Sequence, residues 1–248
     1  MALTDDIEIF ATWIAKAKHA VFFTGAGIST DSGLPDFRGP DGVWTRRDKG
    51  LPPPKGAPTS QIRPNAAHAS LVELEKRARI AFLISQNVDG LHLESGFPQA
   101  KLAELHGNGA LLRCLACDEQ TTHERAGWDR RKLGNGYRTD PIRRDQPPCP
   151  GCGGRLISSV VNFGDPMPVK EMEDATAHTA QCDLFVVVGS SLVVSPANDL
   201  PQLALYTGAK LVLLNRGETP FDAKANLRFD SGIADVLPPA AARVAALV

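Results

Sequence analysis

The run Ala20-Val21-Phe22-Phe23-Thr24 passes without a break into Gly25-Ala26-Gly27, and that junction constrains the fold more than any other part of the chain. A short run of this composition reads as a strand buried on both faces, as in parallel sheets. The two glycines tolerate φ > 0 and let another backbone or a phosphate come close, which suggests a tight turn over a ligand. An ordinary strand-to-helix turn has the same appearance, because a bare Gly-x-Gly often arises by chance. Ile28-Ser29-Thr30 would open a helix whose N-terminal N–H groups face a pyrophosphate. Pro35-Asp36-Phe37-Arg38-Gly39 follows. Its guanidinium can grip a phosphate through a planar fork, and its aromatic ring can keep water off a reactive sugar.

The pattern of apolar run and polar ending recurs at 80–84, 102–105, 156–162, 184–188 and 211–214. Helical periodicity lies between the runs at 5–18, 66–77, 168–180, 197–206 and 234–248. Thr4 is a candidate N-cap for the first of these helices. Pro238 and Pro239 are expected in the first turn of the last. Such alternation predicts an α/β fold, a doubly wound parallel Rossmann-like sheet, with ligands at the carboxyl ends of its strands. Gln86, Asn87 and Asp89 stand at one such end. They can hydrogen-bond sugar hydroxyls and an amide, or Asp89 can simply cap the next helix. His106, freed by Gly107 at another strand end, is a candidate general base near neutral pH. His68, on the 66–77 helix, reads as structural.

Two Cys-x-x-Cys knuckles, Cys114/Cys117 and Cys149/Cys152, read as a closed, structural Cys₄ zinc site; a redox role is the weaker alternative. The basic residues between them are nearly balanced by Asp118, Glu119, Glu124, Asp129, Asp140 and Asp145, which describes a solvated face. Cys182 is expected in the core. The expected organisation is a sheet domain at 1–110 and 156–248, a zinc-binding module at 111–155 and a proline-rich reduced cap at 40–66. The 248 residues carry a net charge of −1 and are 43% hydrophobic, so a sizeable core is expected and no basic field points to nucleic acid. The longest apolar run, 184–188, is far too short to span a bilayer. With no signal-peptide pattern at its start, the chain is expected to be cytoplasmic.

GAGIST…SGLPDFRG, QNVDGLH, ELHGN, the paired knuckles, FGD, GSSL and Asn215 stand in the order and spacing of the sirtuin family, and the chain resembles it from about Val21 to Val236. Its short 44–68 segment looks more like the nuclear, chromatin-associated branch, and FGD replaces the commoner FGE. The resemblance implies NAD-dependent removal of acyl groups from lysine, giving nicotinamide and O-acyl-ADP-ribose, with NAD and zinc as cofactors and acyl-lysine proteins or peptides as partners. By the same resemblance Gly25, Ala26, Gly27, Thr30, Asp36, Phe37, Arg38, Trp44, Gln86, Asn87, Asp89, Gly189, Ser190, Ser191, Asn215, Gly217 and Ile233 bind the dinucleotide. His106 and Asn87 are catalytic, and Phe163, Gly164, Val193 and Val194 hold the peptide. The implied chemistry is attack of the acyl oxygen on the ribose, loss of nicotinamide, and deprotonation of a ribose hydroxyl with help from His106.

Three other functions compete with this one: a protein mono-ADP-ribosyltransferase, a non-catalytic NAD-binding scaffold and a nicotinamide dehydrogenase. The last needs an acid about 20 residues beyond the glycine turn, at the end of the next strand. Here that strand comes much later and ends in Gln86-Asn87. Within the cap, Arg46, Arg47 and Arg63 have no tyrosine partner, so neutral acyl groups are expected in preference to succinyl.

Overall fold

The computed structural model describes residues 3–248; the first two positions of the expected 1–110 segment lie outside the described residues. The chain runs α1 (Leu3–Lys16), β1 (Ala20–Thr24), α2 (Val43–Asp48), α3 (Ala66–Lys76), β2 (Phe82–Ser85), α4 (Leu91–Glu94) and β3 (Leu102–Glu104). A small lobe follows with β4 (Leu111–Cys114), β5 (Gln120–Thr122), α5 (Arg130–Leu133) and β6 (Leu156–Ser158). The main domain then resumes with α6 (Val169–Gln181), β7 (Leu184–Val188), α7 (Asp199–Tyr206), β8 (Lys210–Leu214), β9 (Leu227–Phe229) and α8 (Ile233–Leu247).

Six strands form one parallel sheet in the order β3-β2-β1-β7-β8-β9. Alternation along each strand sorts the side chains between two cores. Phe22, Leu83, Val186 and Val212 meet α1, α3 and α8 through Phe10, Ile14, Leu71 and Val236. Val21, Phe23, Ile84, Phe185 and Val187 meet α6 and α7 through Ala175, Leu200 and Ala204. The chain winds outward from β1 to β3, then returns to β7 and winds the other way. The order therefore reverses between β1 and β7, and a crevice opens outside their carboxyl ends. Among the described residues no helix is long and apolar enough to cross a membrane.

Several local expectations change. The 156–162 run does not join the parallel sheet: Leu156–Ser158 pairs antiparallel with β4 in the small sheet β5-β4-β6. The small lobe thus runs past the expected boundary at 155, because Leu156 packs with Trp128 and Cys114. The helix expected to open at Ile28-Ser29-Thr30 is a short 3₁₀ helix over Ala26–Ser32, ended by Gly33 at φ 89°. Helix α1 spans Leu3–Lys16, so Thr4 lies inside it. Pro238 and Pro239 fall within α8, beyond its first turn.

Beneath the end of β1 lies a buried polar cluster. The His92 Nε2 is 2.9 Å from the Thr24 hydroxyl, and the His68 and His92 rings meet at a tilt of 53° with centroids 5.0 Å apart. His68 completes a capping box with Asn65 at the start of α3, as its structural reading requires. Burial is the chief cause that lowers both histidine pKa values, to about 3 for His92, where His68 adds to the shift; Asp89 opposes it at His68. The unfolded chain therefore takes up these protons first as pH falls. The stability is fully present above about pH 6.5 and is lost below it. Urea midpoints should fall from about pH 7 to pH 5, and His92→Gln should flatten that slope. A wild-type midpoint that stays level over this range would contradict the assignment.

Candidate active site

The loops that leave β1 and β7 touch backbone to backbone. Gly25 N–H donates to the Val188 carbonyl at 3.0 Å and Gly27 N–H to the Gly189 carbonyl at 2.9 Å. A Cβ on Gly25 would stand 2.7 Å from the Gly189 oxygen, and one on Gly27 2.7 Å from the Gly189 Cα. Gly189 has φ 66°, and its own Cβ would lie 2.5 Å from the Ile28 nitrogen. The glycines of the first turn thus make room for the neighbouring loop before they make room for any ligand.

A cleft of about 760 Å³ opens above this contact, within the range of about 300–1,000 Å³ usual for small-molecule sites. Gly25, Ala26, Gly27, Asp36, Phe37, Arg38, Trp44, Gln86, Asn87, Asp89, His106, Phe163, Gly164, Gly189, Ser190, Ser191, Val193, Val194, Asn215 and Gly217 line it. Of the expected dinucleotide residues, Thr30 and Ile233 do not. The Thr30 hydroxyl donates to the Gly27 carbonyl and its residue is exposed, and Ile233 packs against the core. The cleft also takes in Ser29, Val160, Val161, Met167, Arg216 and Glu218, which the sequence reading did not single out.

The 86–90 loop is held by its own polar groups. Asn87 Nδ2 donates to the Gly25 carbonyl at 3.1 Å and to the Ser29 hydroxyl at 3.3 Å. Ser29 donates to one Asp89 oxygen at 2.7 Å, and the other accepts from Leu91 N–H at 3.0 Å. Asp89 is a cleft residue, and it is not the N-cap of α4 that its type suggested: Gly90 holds that position, and Asp89 accepts from Leu91 N–H from one residue before it. Gln86 Nε2 donates to the Ser190 hydroxyl at 2.7 Å and ties this loop to the one after β7.

His106 follows β3, and its Nδ1–H donates to the Gln86 carbonyl at 2.8 Å. That bond fixes the tautomer and leaves Nε2 as the basic nitrogen. Burial lowers the His106 pKa below the ordinary histidine value, against the pull of the Gln86 carbonyl. The ring is accordingly neutral near pH 7 and able to take a proton.

On the opposite wall, Asp36 accepts from Gly39 N–H at 2.8 Å and holds the flap closed on itself. Phe37 stacks on Trp44 with centroids 5.9 Å apart, and the Arg47 guanidinium lies 4.4 Å over the Trp44 ring. Arg46 donates to the Pro52 carbonyl, and Arg63 to that of Ile62. None of these three arginines lines the cleft. Arg38 does, and among the described residues its guanidinium has no hydrogen bond or ion pair. An unpaired cation beside serine hydroxyls and side-chain amides fits a pyrophosphate and two riboses.

In the small lobe, the four sulfurs of Cys114, Cys117, Cys149 and Cys152 lie within 4.8 Å of one another. The contacts Cys114–Cys152 and Cys117–Cys149 measure 3.5 and 3.9 Å. Tetrahedral zinc with Zn–S of about 2.3 Å separates its sulfurs by about 3.8 Å, so the set fits that ion. Four thiolates leave no open position, which makes the site structural. Cys182 is buried just before β7, as expected.

The reversed strand order, the crevice at the switch point and the thiol-bearing lobe define a doubly wound nucleotide-binding protein with a basic histidine at its centre. The chain belongs to the Sir2 family, whose profile matches residues 54–196. It is 37% identical over 262 residues to NAD-dependent protein deacetylase 1 of Bradyrhizobium diazoefficiens, with 96% of each chain covered. It is 41% identical to the NAD-dependent protein deacetylase SRT1 of Arabidopsis thaliana over 89% of this chain but 45% of that protein, so it spans about half the length of the plant relative. A solved Sir2 structure with a p53 peptide and NAD+ superposes with a TM-score of 0.71 at 33% identity, over 97% of this chain and 98% of the other.

The metal has a measurable consequence. The core of the small lobe is small, built on Leu112, Cys114, Ala126, Trp128, Cys149 and Leu156 with Leu133 against them, so a metal that supplies on the order of 10 kcal/mol of binding free energy dominates its folding. Cys149→Ser should abolish stoichiometric zinc and shift the emission of the buried Trp128 to the red. Elemental analysis that finds no zinc in the wild-type protein, purified without chelator, would refute the assignment.

Proposed function

We propose that this chain removes acyl groups from lysine side chains of proteins or peptides in an NAD-dependent reaction, and releases nicotinamide and O-acyl-ADP-ribose. The observation that carries the reading is His106, neutral, fixed through Nδ1 and set in the same cleft as the unpaired Arg38 and the amides of Gln86 and Asn87. A relative named as an NAD-dependent protein deacetylase and a solved Sir2 neighbour with a p53 peptide and NAD+ support it. When bound, NAD supplies a ribose carbon made electrophilic by its nicotinamide leaving group.

The residues divide the work by chemistry. Arg38 neutralises pyrophosphate charge, and Ser190, Ser191, Asn215 and Gly217 hold the adenosine half. Asn87 and Asp89, locked through Ser29, orient the nicotinamide half. Phe37 and Trp44 exclude water from it. The peptide lies extended between Phe163-Gly164 and Val193-Val194 and pairs through its backbone, which gives weak sequence selectivity. His106 Nε2 accepts the proton of a ribose hydroxyl.

His106→Ala should therefore lower turnover by about 10²–10⁴-fold while calorimetric NAD binding persists, because the dinucleotide contacts lie elsewhere. Near-wild-type turnover in that variant would assign the base to another group.

Acyl preference follows from the walls. Val160, Val161, Met167 and Val194 are apolar, and the cap arginines are spent on Pro52, Trp44 and Ile62. Beside these apolar side chains a buried carboxylate would lack donors, whereas each buried CH₂ gains about 0.8 kcal/mol. On one peptide, kcat/KM should rank myristoyl-lysine above acetyl-lysine and leave succinyl-lysine unused. Fastest turnover of succinyl-lysine would overturn this account of the walls, and acetyl above myristoyl would overturn the open apolar channel.

A further inference from the structure

Two buried polar side chains next to His106 have no part in the reaction described above. Glu104 closes β3 at 7% exposure, and Asn108 is 2% exposed. Asn108 Nδ2 donates to both Glu104 carboxylate oxygens, at 2.9 and 3.0 Å, and its Oδ1 accepts from Ala110 N–H at 2.9 Å. Glu104 also feels Asp89, Glu171 and Arg113, but Arg113 is taken up by Asp118 at 2.8 Å and Glu171 at 2.6 Å. Among the described residues, Asn108 is the one side chain that hydrogen-bonds Glu104.

Asn108 also meets the other loop of the site. A Cβ on Gly90 would sit 3.3 Å from its Oδ1 and 3.4 Å from its Nδ2. On either side of this contact, Gly109 N–H donates to the Val88 carbonyl at 2.8 Å and His106 Nδ1–H to the Gln86 carbonyl at 2.8 Å. The 86–90 and 106–110 loops thus meet at three places, with Asn108 at one of them. Gly107, at φ 76°, closes the turn against β6: its Cβ would fall 1.8 Å from the Ser159 oxygen. Neither Glu104 nor Asn108 lines the cleft.

We propose that Glu104 and Asn108 are a buried pair of positioning residues that fixes the His106 turn and the 86–90 loop to each other. Its catalytic consequence rests on the deacylase reading, through His106. Asn108→Asp removes the amide donor and sets a second acid against Glu104, whose own pKa burial already raises to about 7. Glu104→Gln keeps one acceptor for Asn108. The double variant Glu104→Gln with Asn108→Asp reverses donor and acceptor and rebuilds the bond.

The test combines hydrogen exchange on the NAD-free protein with kcat and KM for NAD on an acetyl-lysine peptide. Asn108→Asp should speed exchange within 86–90 and 106–111 alone, lower kcat on the order of 10²-fold, the scale of a small misplacement of catalytic groups, and raise KM for NAD, because Asn87 and Asp89 stand on the loosened loop. Glu104→Gln should remain close to wild type, and the double variant should recover both protection and kcat. Wild-type exchange and turnover in Asn108→Asp would overturn the proposal. So would a double variant as impaired as Asn108→Asp, or loosening spread over the whole sheet. If the wild-type protein shows no deacylation, the deacylase reading falls, and the exchange pattern alone decides whether the pair joins the loops.

Discussion

The structure depends on one contact: the backbone of Gly25–Gly27 lies directly against that of Gly189, with room for no side chain between them. Parallel pairing brings β1 and β7 together but does not bring the loops beyond them into touch. Hydrogen bonds from Gly25 to Val188 and from Gly27 to Gly189 continue the ladder past the ends of the strands. With the loops so close, Ser190 comes within reach of Gln86, and Asn87 within reach of Gly25. The polar lining of the cleft follows from that approach.

The main sheet was legible because both of its faces are covered. Strands buried on two sides read as unbroken apolar runs, and 20–24, 184–188 and 211–214 stand where they were expected. Strand β9 was not found: Leu227-Arg228-Phe229 is short and carries a charge, as an edge strand can. The 156–162 run was read as one strand because composition alone does not say which sheet a short strand joins. Its first half pairs with β4, and Val160 and Val161 go on to line the cleft.

The site was legible where chemistry and a strand end coincide. His106, the 86–89 group and the four cysteines are rare residue types at telling positions. Ser29 was missed because a serine after a glycine turn looks like any helix start, and its value comes from Asp89, far away in sequence. Asp89 shows how little residue type says about position: Gly90 takes the N-cap of α4, while the two Asp89 oxygens accept from Ser29 and from Leu91 N–H and so join the first turn to the 86–90 loop. Glu104 and Asn108 gave no signal beyond their place beside His106, since burial and mutual bonding are tertiary facts.

The most direct measurement of the central claim is the fate of the ribose. The wild-type protein is incubated with NAD and an acetyl-lysine peptide, and the products are resolved by mass spectrometry. The account predicts free lysine peptide, nicotinamide and O-acetyl-ADP-ribose in equal amounts. ADP-ribose attached to protein, or nicotinamide released without loss of the acetyl group, would contradict it.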